Sequence, residues 1–124
     1  MHIDHINIRA PAELMEADKR FFCDILDLHE GRRPDFGSRG YWLYSGDQAI
    51  VHLSLGEKLV ETTNSGYLDH VAFRGTGLEQ FSTRLEQAGI RYSTNFVAEH
   101  NMTQLFLKSP TGTGIEVNFI DEAD

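Results

Sequence analysis

Apolar and polar residues follow two different periods along the chain, and these periods predict eight strands and two helices. Residues 2–9 alternate, which is typical of a strand with one covered face. Apolar residues then recur every three or four positions over residues 12–27, which indicates an amphipathic helix. Three more strands are predicted in the first half, over residues 28–33, 40–45 and 49–55.

The second half of the chain repeats this order of elements. A strand is predicted over residues 67–74, and Thr76-x-x-Glu79 has the pattern of a capping box that opens a helix ending at Gly89. Three further strands are predicted, over residues 90–97, 102–108 and 114–120. The predicted fold class is therefore α+β, with two βαβββ modules (residues 1–58 and 66–121, approximately) in a single domain of residues 1–124. The acidic tail, residues 121–124, is expected to be frayed.

The two halves also repeat a set of residues that bind metals. Two segments share the pattern Asp-His-aliphatic-x-apolar-Arg-small, at residues 4–10 and 69–75. His5 and His70 are thus 65 residues apart (70 − 5), about half of the 124-residue chain. His52 follows His5 by 47 residues (52 − 5), and Glu116 follows His70 by 46 (116 − 70). The simplest interpretation is a duplicated module that carries a metal-ligand residue type at four matching points.

Strand alternation places all four residues on the more polar face of their strands. His5 shares its face with Asn7, opposite Ile6 and Ile8. If each half is a curved sheet with its helix outside, the polar faces line a concavity where His5, His52, His70 and Glu116 converge. Each residue alone is more often a satisfied strand residue, and only the repeat makes the set unusual. Three imidazoles and one carboxylate suit Zn²⁺, Fe²⁺, Ni²⁺, Co²⁺ or Mn²⁺ better than Mg²⁺ or Ca²⁺.

Other residues are weaker candidates. Asn7 and Arg9 lie on the ligand face and are predicted to contact substrate, although Arg9 at a strand end equally fits a solvent-exposed role. His100, in a loop, is a candidate acid or base at a cavity mouth. Cys23, near the apolar stripe of the first helix, is expected to be a core thiol rather than a reactive one.

Composition excludes several classes of function. Lys+Arg 11 against Asp+Glu 19 gives a net charge of −8, and without basic clusters nucleic-acid binding is not expected. No apolar run approaches the length of a membrane span, and the first residues lack the pattern of a signal peptide. A single cysteine fits a reducing compartment. We therefore expect a cytoplasmic protein with no nucleic-acid or membrane partner.

The motifs around these residues resemble those of the vicinal oxygen chelate superfamily, which includes glyoxalase I, extradiol dioxygenases and bleomycin-binding proteins. The resemblance is carried by His5, by His52 in Ile-Val-His-Leu, by His70 in Asp-His-Val-Ala-Phe and by Glu116 in Ser-Pro-Thr-Gly-Thr-Gly-Ile-Glu-Val. It covers nearly the whole chain. It implies a cupped mixed β-sheet built from βαβββ modules and a divalent metal that chelates two substrate oxygens.

Among these relatives, glyoxalase I is similar in having ligands on four strands and an arginine four residues after the first ligand, used there for glutathione. This chain departs from it twice. His52 stands where glyoxalase I usually has a glutamate, and Gly56 where an asparagine helps to hold glutathione. Extradiol dioxygenases use only two histidines and one glutamate, together with acid/base residues for which His100 and Tyr92 are the candidates here.

The predicted function is that of a metal-dependent lyase or isomerase, glyoxalase-like, acting on a small oxygen-chelating substrate. Glu116 is the first candidate for proton transfer and His52 the second. A ring-cleaving dioxygenase and a non-catalytic drug- or metabolite-binding protein are the alternatives. A homodimer is expected, with the site formed either within one chain or across two.

Overall fold

A computed structural model describes residues 2–57 and 70–122 of the chain. The chain divides into two compact units, Met1–Thr63 and Asn64–Asp124. The connection between the modules is predicted over residues 56–66, and its residues 58–66 lie outside the described residues, as do residues 67–69 of the predicted fifth strand. Among those that are described, no helix is long and apolar enough to span a membrane.

The first unit contains one helix and a four-stranded mixed sheet. Its elements are β1 (Ile6–Ala10), α1 (Ala12–Asp24), β2 (His29–Gly31), β3 (Gly40–Ser45) and β4 (Gln48–Leu55). The strand order is β1-β4-β3-β2. β1 runs parallel to β4, while the β3–β4 and β2–β3 pairs are antiparallel. This is the predicted βαβββ module.

The second unit repeats this arrangement. Its elements are β5 (His70–Arg74), α2 (Leu78–Gln87), β6 (Ser93–Val97), a short 3₁₀ helix (Ala98–His100), β7 (Met102–Lys108) and β8 (Gly114–Ile120). The strand order is β5-β8-β7-β6, again with one parallel pair, β5–β8. The predicted α+β fold class is confirmed, with a helix on one face of each sheet.

Each sheet buries one face beneath its helix. In the first unit, Phe22 of α1 and Leu43 of β3 are completely buried, and Val51 and Leu53 of β4 are nearly so. Burial of such a side chain contributes about 1.5–3 kcal/mol. In the second unit, the ring of Phe81 on α2 lies 5.6 Å from that of Phe119 on β8. The opposite face of each sheet is left for polar residues.

Two predictions about the first helix and first strand need correction. Helix α1 ends at Asp24 rather than at residue 27, because Asp27 adopts a left-handed φ of 60° and the Leu28 N–H donates to the Phe22 carbonyl. β1 begins at Ile6, so His5 immediately precedes the strand instead of belonging to it. The Cys23 thiol is half-buried, and this burial raises its pKa, which agrees with a core role.

The start of α2 differs from the predicted capping box. Its N-cap is Gly77, with a left-handed φ of 81°, and no side chain of the first turn caps the helix. The N–H groups of Gly77 and Leu78 donate instead to the carboxylate of Glu122, at 2.9 Å each. Glu122 belongs to the tail that was expected to be frayed, and its negative charge suits a helix N-terminus.

Candidate metal centre

Strand register brings the four predicted ligands together in two pairs. In the parallel pair β1–β4, Asn7 lies opposite His52. In the parallel pair β5–β8, Ala72 lies opposite Glu116. His5 and His70 precede Asn7 and Ala72 by two residues, so each histidine is on the same face as its partner and one pleat away. The repeat in sequence is therefore also a repeat in register.

The pair in the second unit consists of His70 and Glu116. The His70 Nε2 atom lies 3.5 Å from the Glu116 Oε1 atom. Glu116 is buried, with 8% of its surface exposed. Its other oxygen, Oε2, accepts hydrogen bonds from Asn118 Nδ2 at 2.7 Å and from Gln104 Nε2 at 3.4 Å. The carboxylate thus has one oxygen held by amides and the other directed at an imidazole.

The His70–Glu116 pair fits a divalent transition metal. Imidazole nitrogen and carboxylate oxygen bind Zn²⁺ at about 2.0–2.2 Å, so two such donors at a tetrahedral angle lie about 3.4 Å apart. The observed separation of 3.5 Å matches this value without rearrangement. The mixed nitrogen and oxygen donors also favour a transition metal over Ca²⁺ or Mg²⁺.

The pair in the first unit is held by ring stacking. The imidazoles of His5 and His52 lie 3.8 Å apart with an interplanar angle of 14°. The other neighbour of His52 is Trp42, whose ring is 4.1 Å away and tilted by only 10°. His5 Nδ1 is 2.7 Å from the Asp4 carboxylate, and His52 Nε2 is 3.2 Å from the Ala49 carbonyl oxygen.

Because of this stacking, His5 and His52 cannot bind one ion together as placed, whereas His70 and Glu116 can. An imidazole nitrogen binds a metal through a lone pair in the plane of its ring, and two nearly parallel planes cannot both contain the same ion. His5 and His52 are therefore neighbours whose lone pairs do not converge. Joint coordination requires one ring to rotate, and His5 has the freer side chain because it precedes β1 and is 39% exposed.

The electrostatics of the first unit favour a neutral His52. Burial lowers the pKa of His52, and the adjacent His5 adds to the effect. Conversely, a hydrogen bond with His5 lowers the pKa of the Asp4 carboxyl. A neutral imidazole is the form that binds metals and accepts protons.

No cluster of three or more metal-binding side chains is assembled among residues 2–57 and 70–122. The structure brings His5 to His52 within the first unit, and His70 to Glu116 within the second. Each pair supplies two of the four ligands that the sequence predicts.

The predicted substrate-binding residues lie on the same face of the first unit. Asn7 Nδ2 donates to the Ser54 hydroxyl at 3.2 Å. The aliphatic part of Arg9 crosses Gly56, where a Cβ atom would lie only 2.5 Å from Arg9 Cγ. Gly56, which stands where glyoxalase I usually has an asparagine, thus leaves room for the side chain of Arg9.

Two further candidates, Tyr92 and His100, belong to the second unit. The Tyr92 hydroxyl donates to Glu86 of α2 at 2.9 Å. His100 is exposed in the short 3₁₀ helix between β6 and β7. Among the described residues of the second unit, neither is hydrogen-bonded to His70 or Glu116.

An open cavity of about 300 Å³ adjoins His52 in the first unit. Aromatic rings from Trp42 and Tyr44 form part of its wall, and the carboxylates of Asp4 and Asp47 also line it. It is large enough for a small organic molecule.

Sequence reasoning missed the residues that support the predicted ligands. Gln104 and Trp42 each belong to the strand beside a ligand strand, at positions that only the β7–β8 and β3–β4 registers reveal. Asn118 could have been found, because it follows Glu116 by two residues and therefore shares its face.

Comparison with solved structures identifies the fold. The chain is similar to a glyoxalase/dioxygenase from Nostoc punctiforme, with 21% identity, a TM-score of 0.77, and coverage of 98% of this chain and 92% of that one. It is also similar to a glyoxylase/bleomycin resistance protein/dioxygenase domain from Frankia sp. EAN1pec, with 20% identity, a TM-score of 0.72, and coverage of 100% and 95%.

A third similar structure is lactoylglutathione lyase from Agrobacterium tumefaciens, with 15% identity, a TM-score of 0.68, and coverage of 95% of this chain and 92% of that one. No protein-family model and no curated protein matches the sequence. The fold is therefore the one shared by these glyoxalase- and dioxygenase-type structures, in agreement with the fold that the sequence motifs implied.

Proposed function

We propose that this chain is a metal-dependent enzyme of the vicinal oxygen chelate superfamily, a glyoxalase-like lyase or isomerase that acts on a small substrate with two adjacent oxygens. The observation that carries the proposal is the 3.5 Å separation of His70 Nε2 and Glu116 Oε1, where the Glu116 carboxylate is buried and the His70 imidazole is exposed. The shared fold supports it, since similar structures include a lactoylglutathione lyase and a glyoxalase/dioxygenase.

The proposed ligands are His5, His52, His70 and Glu116, which together hold one Zn²⁺, Fe²⁺, Ni²⁺, Co²⁺ or Mn²⁺ ion. When bound, such an ion supplies a Lewis acid that polarises substrate oxygens and stabilises the negative charge developing on them. The two pairs meet either within one chain or across a homodimer, which is the assembly we expect. The protein itself is expected in the cytoplasm.

Proton transfer falls to Glu116 first. Its Oε1 atom is the oxygen free of amide hydrogen bonds, because those from Asn118 and Gln104 both end on Oε2. Once Glu116 has left the ion, a proton taken from carbon next to a substrate carbonyl would be carried on Oε1 and returned at the neighbouring carbon. His52 is the second candidate, and only while it does not bind the ion, because burial lowers its pKa and favours a neutral ring that can accept a proton.

Substrate recognition is assigned to the polar face of the first unit. Asn7 and Arg9 supply an amide and a guanidinium there, and the guanidinium suits a carboxylate or another anionic group. Trp42 and Tyr44, in the cavity beside His52, supply aromatic surface for an apolar part of the substrate.

One observation favours ring-cleaving dioxygenase activity as the second candidate. His52 lies between the rings of Trp42 and His5 and is therefore the ligand most restrained from turning toward a metal. Without it, His5, His70 and Glu116 form a two-histidine, one-carboxylate set, which is typical of non-haem Fe²⁺ oxygenases.

The test begins with the metal content of protein purified without chelators, measured by mass spectrometry of the metals. Apoprotein is then reconstituted anaerobically with each of the five ions. Each form is assayed with methylglyoxal plus a thiol, and with a catechol while oxygen uptake is recorded. A His70→Ala variant carried through the same steps controls for loosely bound metal.

A stoichiometric transition metal that the His70→Ala variant lacks, with turnover of the methylglyoxal–thiol adduct, is the expected result. Oxygen consumption with the catechol would instead establish the dioxygenase. A protein that stays fully folded, binds none of the five ions and retains a small molecule in its cavity would be a binding protein, and the proposal would be wrong.

A further inference from the structure

A row of amide side chains crosses the second unit and ends on the carboxylate of Glu116. We call Asn95, Gln104 and Asn118 the amide row. Asn95 of β6 pairs with Gln104 of β7, and Gln104 pairs with Asn118 of β8. The three side chains lie on the same face of the sheet as Glu116, opposite the helix. They join neighbouring strands at a position where a buried carboxylate needs hydrogen-bond donors.

The hydrogen bonds of the row run in one direction. Asn95 Nδ2 donates to Gln104 Oε1 at 2.9 Å, which turns the amino group of Gln104 toward β8. Gln104 Nε2 then donates to Glu116 Oε2 at 3.4 Å, and Asn118 Nδ2 donates to the same oxygen at 2.7 Å. Both donors select one of the two carboxylate oxygens.

The side-chain amide of Asn118 is oriented by its hydrogen bond to Glu116, at the cost of its own oxygen atom. Its Oδ1 atom is buried and has no hydrogen-bond partner among residues 2–57 and 70–122. Rotating the amide would satisfy nothing, because it would place Oδ1 against the negatively charged Oε2. A buried acceptor without a donor reduces stability. The arrangement is therefore better explained by what it does to Glu116 than by a contribution to the fold.

We propose that Asn118 and Gln104, with Asn95 behind them, are positioning residues for the metal ligand Glu116. By occupying Oε2 they leave Oε1 as the single oxygen offered to an ion shared with His70. This inference rests on the proposed function, because it assumes that Glu116 and His70 bind a metal. It adds three residues that act through Glu116 and do not touch the ion.

The distances predict a graded effect. Residues that hydrogen-bond a metal ligand typically change metal affinity about 10–100-fold when they are replaced. Asn118, with the shorter bond, should cause the larger loss, and Gln104 a smaller one. Asn95 reaches Glu116 only through Gln104 and should cause the smallest.

The test titrates metal-free protein with Co²⁺ and follows the visible absorption of the bound ion, which reports both affinity and coordination. The variants are Asn118→Leu, Gln104→Leu and Asn95→Leu, each close in size to the residue that it replaces. Asn118→Gln keeps an amide donor and serves as the rescue variant. Gln87→Leu, at an exposed position on α2, is the matched control. Circular dichroism verifies that each variant is folded.

We expect losses of Co²⁺ affinity in the order Asn118→Leu, Gln104→Leu, Asn95→Leu, with a changed spectrum for the first. Asn118→Gln should recover most of the affinity, and Gln87→Leu should match the wild type. If Asn118→Leu fails to fold, the inference is still tested by whether Gln104→Leu loses more Co²⁺ affinity than Asn95→Leu.

Wild-type affinity in folded Asn118→Leu and Gln104→Leu would overturn this inference alone, because Glu116 and His70 would still bind Co²⁺. Equal affinity in Gln104→Leu and Asn95→Leu, both matching the control, would overturn it as well. Absence of Co²⁺ binding by the wild type would overturn both the inference and the proposed function.

Discussion

The two units place their proposed metal ligands by the same strand register, but different interactions hold the side chains in each unit. In the second unit, a buried carboxylate is fixed by amide hydrogen bonds, and its free oxygen lies 3.5 Å from the His70 imidazole. In the first unit, the imidazoles of His5 and His52 stack on each other, and that of His52 also stacks on Trp42. The positions of the pairs are thus the same in the two units, while the side chains around them differ.

This difference teaches that the second unit is the preorganised half of the proposed site. Its donor atoms already have the spacing of two ligands on one ion. The first unit must rotate a ring to contribute both of its imidazoles, and unstacking offsets part of the binding energy. We therefore expect changes in the second unit to affect metal binding more than equivalent changes in the first.

The largest expected effect comes from removing one histidine from each pair. His70→Ala should weaken Zn²⁺ binding by more than about 100-fold. That is the upper end of the loss typical for a residue that only hydrogen-bonds a ligand, whereas His70 would bind the ion itself. His5→Ala should weaken it less, because the wild type loses stacking when His5 turns toward the ion. Competition with a chromophoric chelator measures both affinities. An equal or larger loss in His5→Ala would contradict the difference between the units.

The next comparison uses one glycine from each unit. At Gly75, a Cβ atom would lie 2.8 Å from the ring of Phe119 in the core, so Gly75→Ala should reduce the free energy of unfolding by about 1–3 kcal/mol. At Gly56, the atoms in the way belong to the exposed side chain of Arg9, which can move aside. Gly56→Ala should leave the urea midpoint nearly unchanged. Equal midpoints for the two variants would show that the second unit is not the more tightly packed there.

Helix capping also differs between the units. Within residues 2–57 and 70–122, no side chain caps the N-terminus of α1, whereas Glu122 caps that of α2. Glu122→Ala should reduce the free energy of unfolding by about 0.5–2 kcal/mol, as expected for the loss of a helix cap. Glu79→Ala, at the position of the predicted capping box, is the control and should have the smaller effect in thermal unfolding. A larger effect of Glu79→Ala would show that Glu79 caps the helix, as the sequence predicted.

The smallest effect concerns the protonation of His52 in metal-free protein. Burial lowers its pKa below the ordinary 6.5, so as the pH falls below 6.5 the unfolded state takes up the proton first and the folded state loses stability. Trp42→Leu should expose the ring and raise this pKa toward 6.5, whereas Trp42→Phe should raise it less. NMR titration of the His52 ring protons measures the change. An unchanged pKa in Trp42→Leu would show that the stack does not bury His52.

Much of the fold was predictable where a strand carries its own alternation. The bounds of β3, β7 and β8 match the prediction, and β4 begins one residue early. The predicted strands 28–33 and 90–97 are shorter in the structure, as β2 and β6, and neither has a clear alternation of buried and exposed residues. The end of α1 was not predictable, because it depends on the left-handed conformation of Asp27, a residue that also tolerates a helix. The cap of α2 was missed because Glu122 lies 44 residues beyond Leu78 in the chain (122 − 78).

The candidate site was predictable only in part, and for a related reason. The repeat identified His5, His52, His70 and Glu116, and alternation placed each pair on one face. It could not reveal that Trp42 covers His52 or that Gln104 supports Glu116, because both contacts depend on the register between neighbouring strands. Likewise, stacking between His5 and His52 follows from side-chain rotation, which residue spacing does not determine.

The central claim is that a single divalent ion is bound through Glu116, and isothermal titration of metal-free protein with Zn²⁺ tests it most directly. The wild type is expected to bind one Zn²⁺ per chain, and Glu116→Ala is expected to show no comparable binding while keeping its circular dichroism spectrum. Binding of one Zn²⁺ per chain with unchanged affinity in Glu116→Ala would contradict the claim.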